Sequence, residues 1–139
     1  DTDTEIEEDQ GCSVNEIFKY GGEECFRDME TRLLEKLMNV QNSVIATGGG
    51  IVLREQNQVI LQKIGKRVYL KVPQAELLQR LKNDRKRPLL KEKNPESVLN
   101  KMFEERSLLY EKAECIMDTG HQSPQNIASE IIRKLCNED

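Results

Sequence analysis

Three consecutive glycines, Gly48–Gly50, are the first feature of this sequence that could serve chemistry. Three glycines in a row carry a high conformational-entropy cost, so their presence needs a reason. Because they lack side chains, they let a ligand approach the backbone amides closely. A tight strand-to-helix turn is the alternative, but one or two glycines are usually enough for such a turn. We therefore interpret Gly48–Gly50 as part of a cradle for a small molecule.

Two aspartates at the start of the sequence, Asp1 and Asp3, form the second candidate group. In an extended segment their side chains would point to the same face. Paired carboxylates of this kind can hold a metal ion and accept a proton. A solvated acidic segment is the alternative, and the residue types alone favour that simpler interpretation.

Three arginines, Arg27, Arg87 and Arg106, are candidate anion binders. A guanidinium group can hold a carboxylate or a phosphate with two parallel hydrogen bonds. Solvation at the surface is the usual alternative for an arginine. Arg27 stands out because its neighbour Phe26 is expected in the core, which would place Arg27 at the interior edge of the domain. Arg87 precedes a rigid apolar cluster, Pro88–Leu90, in a segment that is otherwise charged.

The elements that must position these residues alternate between strands and helices. Short apolar runs predict strands at 43–47, 67–72 and 115–119. Ser13 and Glu16 have the spacing of a capping box, and Gly21-Gly22 is expected to end the short helix that follows it. Further helices are predicted at 23–39, 57–63, 74–83, 96–113 and 124–135. This alternation predicts an α/β fold with a parallel sheet and helices on both faces, in which ligands bind beyond the carboxyl ends of the strands.

The segment 84–96, DRKRPLLKEKNPE, differs from the rest because it is dense in charge and holds two prolines. It has too few apolar residues to bury itself. We interpret it as a mobile surface segment that could act as a lid.

Composition limits the classes of partner. The chain has 139 residues, which suits one domain, and a net charge of −4, which does not suggest a nucleic-acid partner. No apolar run approaches the ~18 residues that a membrane span needs, so no membrane contact is expected. The single His121 has no histidine partners, so metal binding through it is not expected.

The four cysteines form no C-x-x-C pair and no zinc-binding pattern. Cys25 and Cys115 fall inside a predicted helix and a predicted strand, and we expect buried free thiols there. Reduced cysteines make the cytoplasm the expected location.

Several short motifs occur in a specific order and spacing. They are Asp1-Thr2-Asp3, Ile6-Glu7, Gly11 with Ser13–Phe18, Gly22–Arg27 with Glu30, Ala46–Gly50, Arg87–Leu90 and Arg106–Tyr110. Each is weak alone, but together, along all 139 residues, they resemble the shikimate kinase family. The resemblance implies a single domain, 1–139, with 84–96 as its mobile lid. It also implies the three-layer, P-loop NTPase-like α/β fold of nucleoside-monophosphate kinases, with a parallel sheet in the order 2-3-1-4-5.

The resemblance also implies the reaction. Shikimate kinases transfer the γ-phosphoryl group of ATP to the 3-hydroxyl of shikimate, in the chorismate pathway to the aromatic amino acids. By resemblance, Asp3 would hold that hydroxyl and act as the base or orient it. Arg27 and Arg106 would grip the shikimate carboxylate, and Gly48 to Gly50, with the amides of Gly49 and Gly50, would form the cradle beside it.

Further roles follow from the same resemblance. Arg87, on the lid, would swing over the phosphates as charge develops, and Arg80 would lie near the nucleotide. Asp1 would sit near Mg²⁺, through water, and Glu30 would orient Arg27. The expected partners are therefore shikimate, ATP and Mg²⁺.

One family element does not occur in these residues. There is no G-x-x-x-x-G-K-[ST] phosphate loop, so strand 1 of the implied sheet and the ATP cradle are missing from the sequence. We expect the parent protein to contain this unit. There are two alternatives. The chain could be a truncated or rearranged product, in which case a partner chain would replace the monomer that is otherwise expected. It could also be a non-catalytic shikimate-binding or regulatory domain without an ATP site. A related kinase, such as a gluconate kinase, is a weaker third hypothesis.

Overall fold

A computed structural model describes residues 1–82 and 94–136 of the chain. These residues form two compact units, Asp1–Gly65 and Lys66–Asp139. Most of the predicted lid, residues 84–93, lies outside the described residues, as does Arg87. The last residues of that segment belong to the start of a helix at Pro95.

The first unit is helical. It comprises α1 (Thr2–Gln10), α2 (Val14–Leu37), a 3₁₀ turn (Gly49–Leu53) and α3 (Glu55–Ile64). The predicted capping box is confirmed at the start of α2. There the Ser13 amide donates to Glu16 Oε2 over 2.9 Å, and the Glu16 amide donates to Ser13 Oγ over 3.3 Å. The expected break at Gly21-Gly22 is also confirmed, because Gly22 has φ 78° inside α2 and bends it.

The extended conformation expected for Asp1 and Asp3 is wrong. Asp1 is the N-cap of α1, and its Oδ1 accepts from the amides of Asp3 and Thr4 over 2.9 and 3.2 Å. Gly11 ends the helix in the left-handed conformation, with φ 66°. A helix forms here because the carboxylate satisfies the first free amides and its charge suits the positive end of the helix dipole.

The strand predicted at 43–47 is also wrong. In the described part of the chain these residues are irregular, and the Val44 side chain is 99 % exposed. A strand is stable only as part of a hydrogen-bonded ladder. The Ala46 carbonyl instead accepts from the Thr2 amide over 2.9 Å, which ties this segment to the start of α1.

Two apolar clusters hold the first unit together. Ile6, Ile17 and Phe26 join α1 to both halves of α2. A second cluster, formed by Leu34, Ile51 and Ile60, joins α2 to the 3₁₀ turn and α3. Helix α2 contributes Phe26 to the first cluster and Leu34 to the second, and these residues lie one turn before and one turn after Glu30. Glu30 is therefore buried between them.

The second unit contains a parallel pair of strands, as the sequence predicts. Its elements are β1 (Val68–Lys71), α4 (Gln74–Lys82), α5 (Pro95–Tyr110), β2 (Cys115–Asp118) and α6 (Pro124–Cys136). Val68 pairs with Cys115 and Lys71 with Asp118. Leu99, Cys115 and Met117 are buried. The predicted cap of α6 is confirmed, since Ser123 Oγ accepts from the Asn126 amide.

A two-pronged ion pair fixes the start of this strand pair. Arg67 donates from Nε to Glu114 Oε2 over 3.0 Å and from Nη2 to Glu114 Oε1 over 2.7 Å. The hydrogen bonds from Arg67 lower the pKa of Glu114 to about 2. The carboxylate therefore stays charged at neutral pH, and the two strands begin in a fixed register.

All four cysteines lie in the described part of the chain and are free. Cys115 is buried, as expected, but Cys25 is only half-buried because it lies beside the bend in α2. No helix among residues 1–82 and 94–136 is long and apolar enough to span a bilayer.

Candidate functional site

Arg27 is a buried arginine at the interior edge of the first unit, as its place beside Phe26 predicts. Arg27 is 8 % exposed. Nη1 donates to Glu30 Oε2 over 2.6 Å, and Nη2 donates to Glu23 Oε1 over 2.9 Å. Burial opposes the charge of Arg27, but the hydrogen bonds to Glu30 and Glu23 outweigh it and raise the pKa. The guanidinium group is therefore a fixed and permanently charged feature of the site.

The guanidinium group of Arg27 lies directly against the backbone of Gly50. A Cβ atom at position 50 would lie 2.6 Å from Cζ of Arg27 and closer still to both terminal nitrogens. The backbone of Gly50 needs no left-handed conformation, so the requirement is steric. At this position the missing side chain makes room for the arginine, which the sequence interpretation did not foresee.

The missing side chain of Gly48 likewise makes room for the acidic residues of the site. A Cβ atom there would lie 3.1 Å from Asp3 Oδ1 and 3.6 Å from Glu30 Oε1. Both of these oxygens are buried and have no hydrogen-bond partner in the part of the chain that the structure describes. Buried acceptors are nearly always paired in native proteins, so two of them beside one glycine turn mark a place for a polar ligand.

The environment of the two carboxylates shifts their protonation. Burial raises the pKa of Asp3, the negative charge of Glu7 raises it further, and Arg27 opposes both effects. Burial also raises the pKa of Glu30, although the hydrogen bond from Arg27 opposes this. A carboxylate with a raised pKa is a better proton acceptor than an ordinary aspartate. The geometry thus makes Asp3 suitable for holding a substrate hydroxyl.

The structure therefore brings together five of the predicted site residues: Asp3, Arg27, Glu30, Gly48 and Gly50. Gly49 begins the 3₁₀ turn between the two contact glycines. The sequence interpretation missed Glu23, although its spacing of four residues from Arg27 on a helix is a recognisable signal. It also missed Thr31 and Asn57, which pair behind the site across 26 positions of sequence. No local pattern could have shown that pair.

Asp1 lies two residues from Asp3, at the N-cap of α1. Its Oδ1 is engaged by backbone amides. No group of three or more metal-ligating side chains occurs among residues 1–82 and 94–136. Mg²⁺ in phosphoryl-transfer sites is usually held by one or two carboxylates together with substrate phosphates, so a single aspartate fits that use.

Two other predicted residues lie in the second unit. Arg80 is exposed on α4, and its Nη2 lies 2.5 Å from Glu76 Oε1. Arg106 is half-buried on α5, and its Nε is buried without a hydrogen-bond partner among the described residues. An unpaired guanidinium nitrogen of this kind suits an anionic ligand.

Comparison with known proteins decides the family. The model of the shikimate kinase family matches residues 1–136. The chain belongs to the shikimate kinase family. It is 42 % identical to the shikimate kinase of Xylella fastidiosa strain M12 over 97 % of this chain and 76 % of the relative. It is 38 % identical to that of Nitrosospira multiformis, over 97 % and 70 %.

Solved structures agree with this membership. The chain is similar to the shikimate kinase of Acinetobacter baumannii in complex with shikimate, with a TM-score of 0.93 and 34 % identity over 99 % of this chain and 78 % of that one. It is also similar to the shikimate kinase of Aquifex aeolicus, with a TM-score of 0.84 and 31 % identity, over 99 % and 80 %. The predicted P-loop NTPase-like α/β fold is thereby confirmed. Members of this family are ATP-dependent kinases.

Proposed function

We propose that this protein transfers the γ-phosphoryl group of ATP to the 3-hydroxyl of shikimate. One observation carries the proposal: Asp3 Oδ1 is buried, has no hydrogen-bond partner among residues 1–82 and 94–136, and lies at the same glycine turn as the guanidinium group of Arg27. A proton acceptor and a carboxylate-binding cation are thus fixed on one small surface. Shikimate offers a hydroxyl group and a carboxylate to these two partners.

Asp3 is the residue proposed to act on the hydroxyl. Its Oδ1 would accept the hydrogen bond of the 3-hydroxyl. It would take the hydroxyl proton as the oxygen bonds to the γ-phosphorus of ATP, while the bond from that phosphorus to the bridging oxygen breaks and ADP leaves. The raised pKa of Asp3 helps this step, because a stronger base holds the proton better in the transition state. Since Asp3 must be ionised to act, kcat/KM should fall on acidification at a higher pH than an ordinary aspartate would give.

Arg27 is proposed to bind the shikimate carboxylate. Glu30 holds Nη1 and Glu23 holds Nη2 and Nε, so the plane of the guanidinium group is fixed before the substrate arrives. A pre-oriented arginine loses little side-chain entropy when it binds a carboxylate. Gly48–Gly50 would form the floor beside it. By the family resemblance, Arg106 would also bind the shikimate carboxylate.

The remaining roles concern the donor side of the reaction. Phosphoryl transfer depends mainly on positioning and on stabilisation of negative charge. Asp1 would hold Mg²⁺ through water, and the ion would neutralise charge on the phosphates. Arg80 and Arg87 would contact the nucleotide, Arg87 from the lid at 84–96 of a single domain. We propose a cytoplasmic monomer for the protein as a whole.

The test is an assay of ADP release, with the protein produced from its complete coding sequence. We expect ADP release that depends on shikimate and is reduced about 10²–10⁴-fold in Asp3→Asn, the usual effect of removing a general base. The matched control is Asp9→Asn, at an exposed aspartate of the same helix, which should leave turnover unchanged. Shikimate-independent ADP release, or an Asp3→Asn variant as active as Asp9→Asn, would contradict the proposal.

A further inference from the structure

A buried hydrogen-bonded bridge lies behind the candidate site and consists of Thr31, Asn57 and the Ile51 carbonyl. Thr31 Oγ1 donates to Asn57 Oδ1 over 2.7 Å. Asn57 Nδ2 donates to the Ile51 carbonyl over 3.0 Å. Thr31 is 7 % exposed, Ile51 is 2 % exposed and Asn57 is fully buried. We call this set the Thr31–Asn57 bridge.

The available donors determine the direction of the two hydrogen bonds in the bridge. The Asn57 amide nitrogen serves the Ile51 carbonyl, so its oxygen faces Thr31. The Thr31 hydroxyl has one proton and two acceptors within reach, Asn57 Oδ1 at 2.7 Å and the Arg27 carbonyl at 3.0 Å. The Arg27 carbonyl already accepts a backbone hydrogen bond within α2. If the Thr31 hydroxyl turns towards Asn57, it therefore satisfies a buried amide oxygen that would otherwise lack a donor.

The two segments that the bridge joins, α2 and the glycine turn, also touch each other at the candidate site. Thr31 lies one helical turn after Arg27, and Ile51 follows Gly50 directly. Arg27 and Gly50 are also the pair whose side chain and backbone touch at the site. The α2 segment and the glycine turn are therefore joined twice, once by the guanidinium contact and once by the Thr31–Asn57 bridge. Two joined points fix the distance and the tilt of one segment on the other.

We propose that Asn57 and Thr31 are positioning residues for substrate binding. They hold the glycine turn, Gly48–Gly50, in the position relative to α2 that leaves Arg27 free to bind the substrate carboxylate. This inference rests on the proposed function. Neither residue touches the substrate in this proposal, since Thr31 is only 7 % exposed and Asn57 is fully buried. Loss of the bridge lets the turn shift against Arg27, so the affinity for shikimate falls more than kcat does.

Thr31→Val is the test variant, because valine keeps the branched shape and removes the hydroxyl. Titration calorimetry with shikimate and no nucleotide should show binding weakened about three- to tenfold, the equivalent of one net hydrogen bond. Steady-state kinetics should show the rise in KM for shikimate with a smaller change in kcat and an unchanged KM for ATP. Thr31→Ser keeps the hydroxyl and should restore the wild-type affinity.

The matched control is Ser129→Ala on α6, which removes an exposed hydroxyl that donates to the Gln125 carbonyl over 2.9 Å. Its shikimate affinity should equal that of the wild type. A Thr31→Val variant with a lower melting temperature but a wild-type dissociation constant would overturn the inference, since the bridge would then serve stability alone. If Thr31→Val does not fold, Thr31→Ala carries the same expectation.

The same titration separates the two proposals. If the wild-type protein binds no shikimate, the proposed function fails and this inference fails with it. If the wild type and Thr31→Val bind shikimate equally, the inference alone fails.

Discussion

Two arginine clusters draw their acidic partners from the same helix, α2, but differ in burial. Arg27 pairs with Glu23 and Glu30, and Arg54 pairs with two acidic residues of α2, Glu24 and Asp28. The side chain of Arg27 is 9 % exposed and that of Glu30 is fully buried. The side chain of Arg54 is 26 % exposed and those of its partners are 87 % and 55 % exposed.

The two arginines have the same number of ion pairs, and burial is what separates Arg27, which we propose binds the substrate, from the more exposed Arg54. The pKa of Arg54 is raised by its hydrogen bonds to Asp28 and Glu24, so the direction of the shift is the same in both clusters. Water screens the exposed pairs of Arg54, which makes them weak. In the Arg27 cluster, Arg27 and Glu30 are desolvated, whereas the Glu23 side chain is 58 % exposed. The guanidinium group of Arg27 lies against Gly50, and Asp3 Oδ1 and Glu30 Oε1 beside it have no hydrogen-bond partner among residues 1–82 and 94–136.

The largest expected difference between the clusters is the effect of removing the arginine. Arg27→Ala should weaken shikimate binding by about 2–5 kcal/mol, because it removes a desolvated partner of the substrate carboxylate. It also leaves Glu30 buried without its cation, so the melting temperature should fall. Calorimetric titration and a thermal melt measure the two effects separately.

Arg27→Lys is the matched variant, because it keeps the charge and removes the planar fork. It should recover part of the stability and little of the affinity, since a lysine cannot bind Glu30, Glu23 and a carboxylate with the same geometry. An Arg27→Ala variant that binds shikimate like the wild type would show that this cluster, like that of Arg54, has no part in binding.

A smaller effect is expected from Gly50→Ala, which pushes a methyl group into the Arg27 guanidinium. Overpacking of a fixed neighbour costs about 1–3 kcal/mol. Because Glu30 and Glu23 hold Arg27 in place, we expect a raised KM for shikimate as well as a lower melting temperature. The control is Gly65→Ala, where a new Cβ would meet no atom of the described residues within 4 Å. Identical kinetics for the two variants would mean that the guanidinium moves aside without consequence.

The smallest effect is expected from Arg54→Ala. Exposed ion pairs contribute about 0.2–1 kcal/mol each, and salt reduces this contribution. Arg54 approaches Thr31 Oγ1 only to 3.5 Å, which is too long to hold the Thr31–Asn57 bridge. Urea unfolding at low and high salt should therefore show a small loss of stability that shrinks with salt, and KM for shikimate should not change. A salt-independent loss, or a raised KM, would indicate that the Arg54 cluster also supports the site.

Asp3 shows how a sequence can single out a residue while its conformation is missed. The residue types alone favoured a solvated acidic segment, the family resemblance indicated Asp3 as a site residue, and an extended segment was expected where α1 forms. The signals for that helix were present: Asp1 at the N-cap, acidic residues in the first turn and Gly11 at the end. The strand at 43–47 failed for another reason, because an apolar run becomes a strand only when a neighbouring strand completes its hydrogen bonds.

The sequence by itself determined the features that depend on near neighbours or on ordered motifs. These are the capping box at Ser13, the bend at Gly22, the positions of the two strands in the second unit, and the membership in the shikimate kinase family. Short-range hydrogen bonds and backbone preferences are enough to produce the first two. Membership follows because motif order and spacing survive in the linear chain.

Only the tertiary structure decided why the glycines at 48 and 50 are glycines and which groups the buried Arg27 contacts. Gly50 makes room for Arg27 and Gly48 makes room for Asp3, and each contact joins residues more than twenty positions apart. The Thr31–Asn57 bridge depends on the same long-range packing, because Leu34, Ile51 and Ile60 must first bring α2, the turn and α3 together. Burial and steric exclusion are properties of the packed chain, and no local pattern of residues contains them.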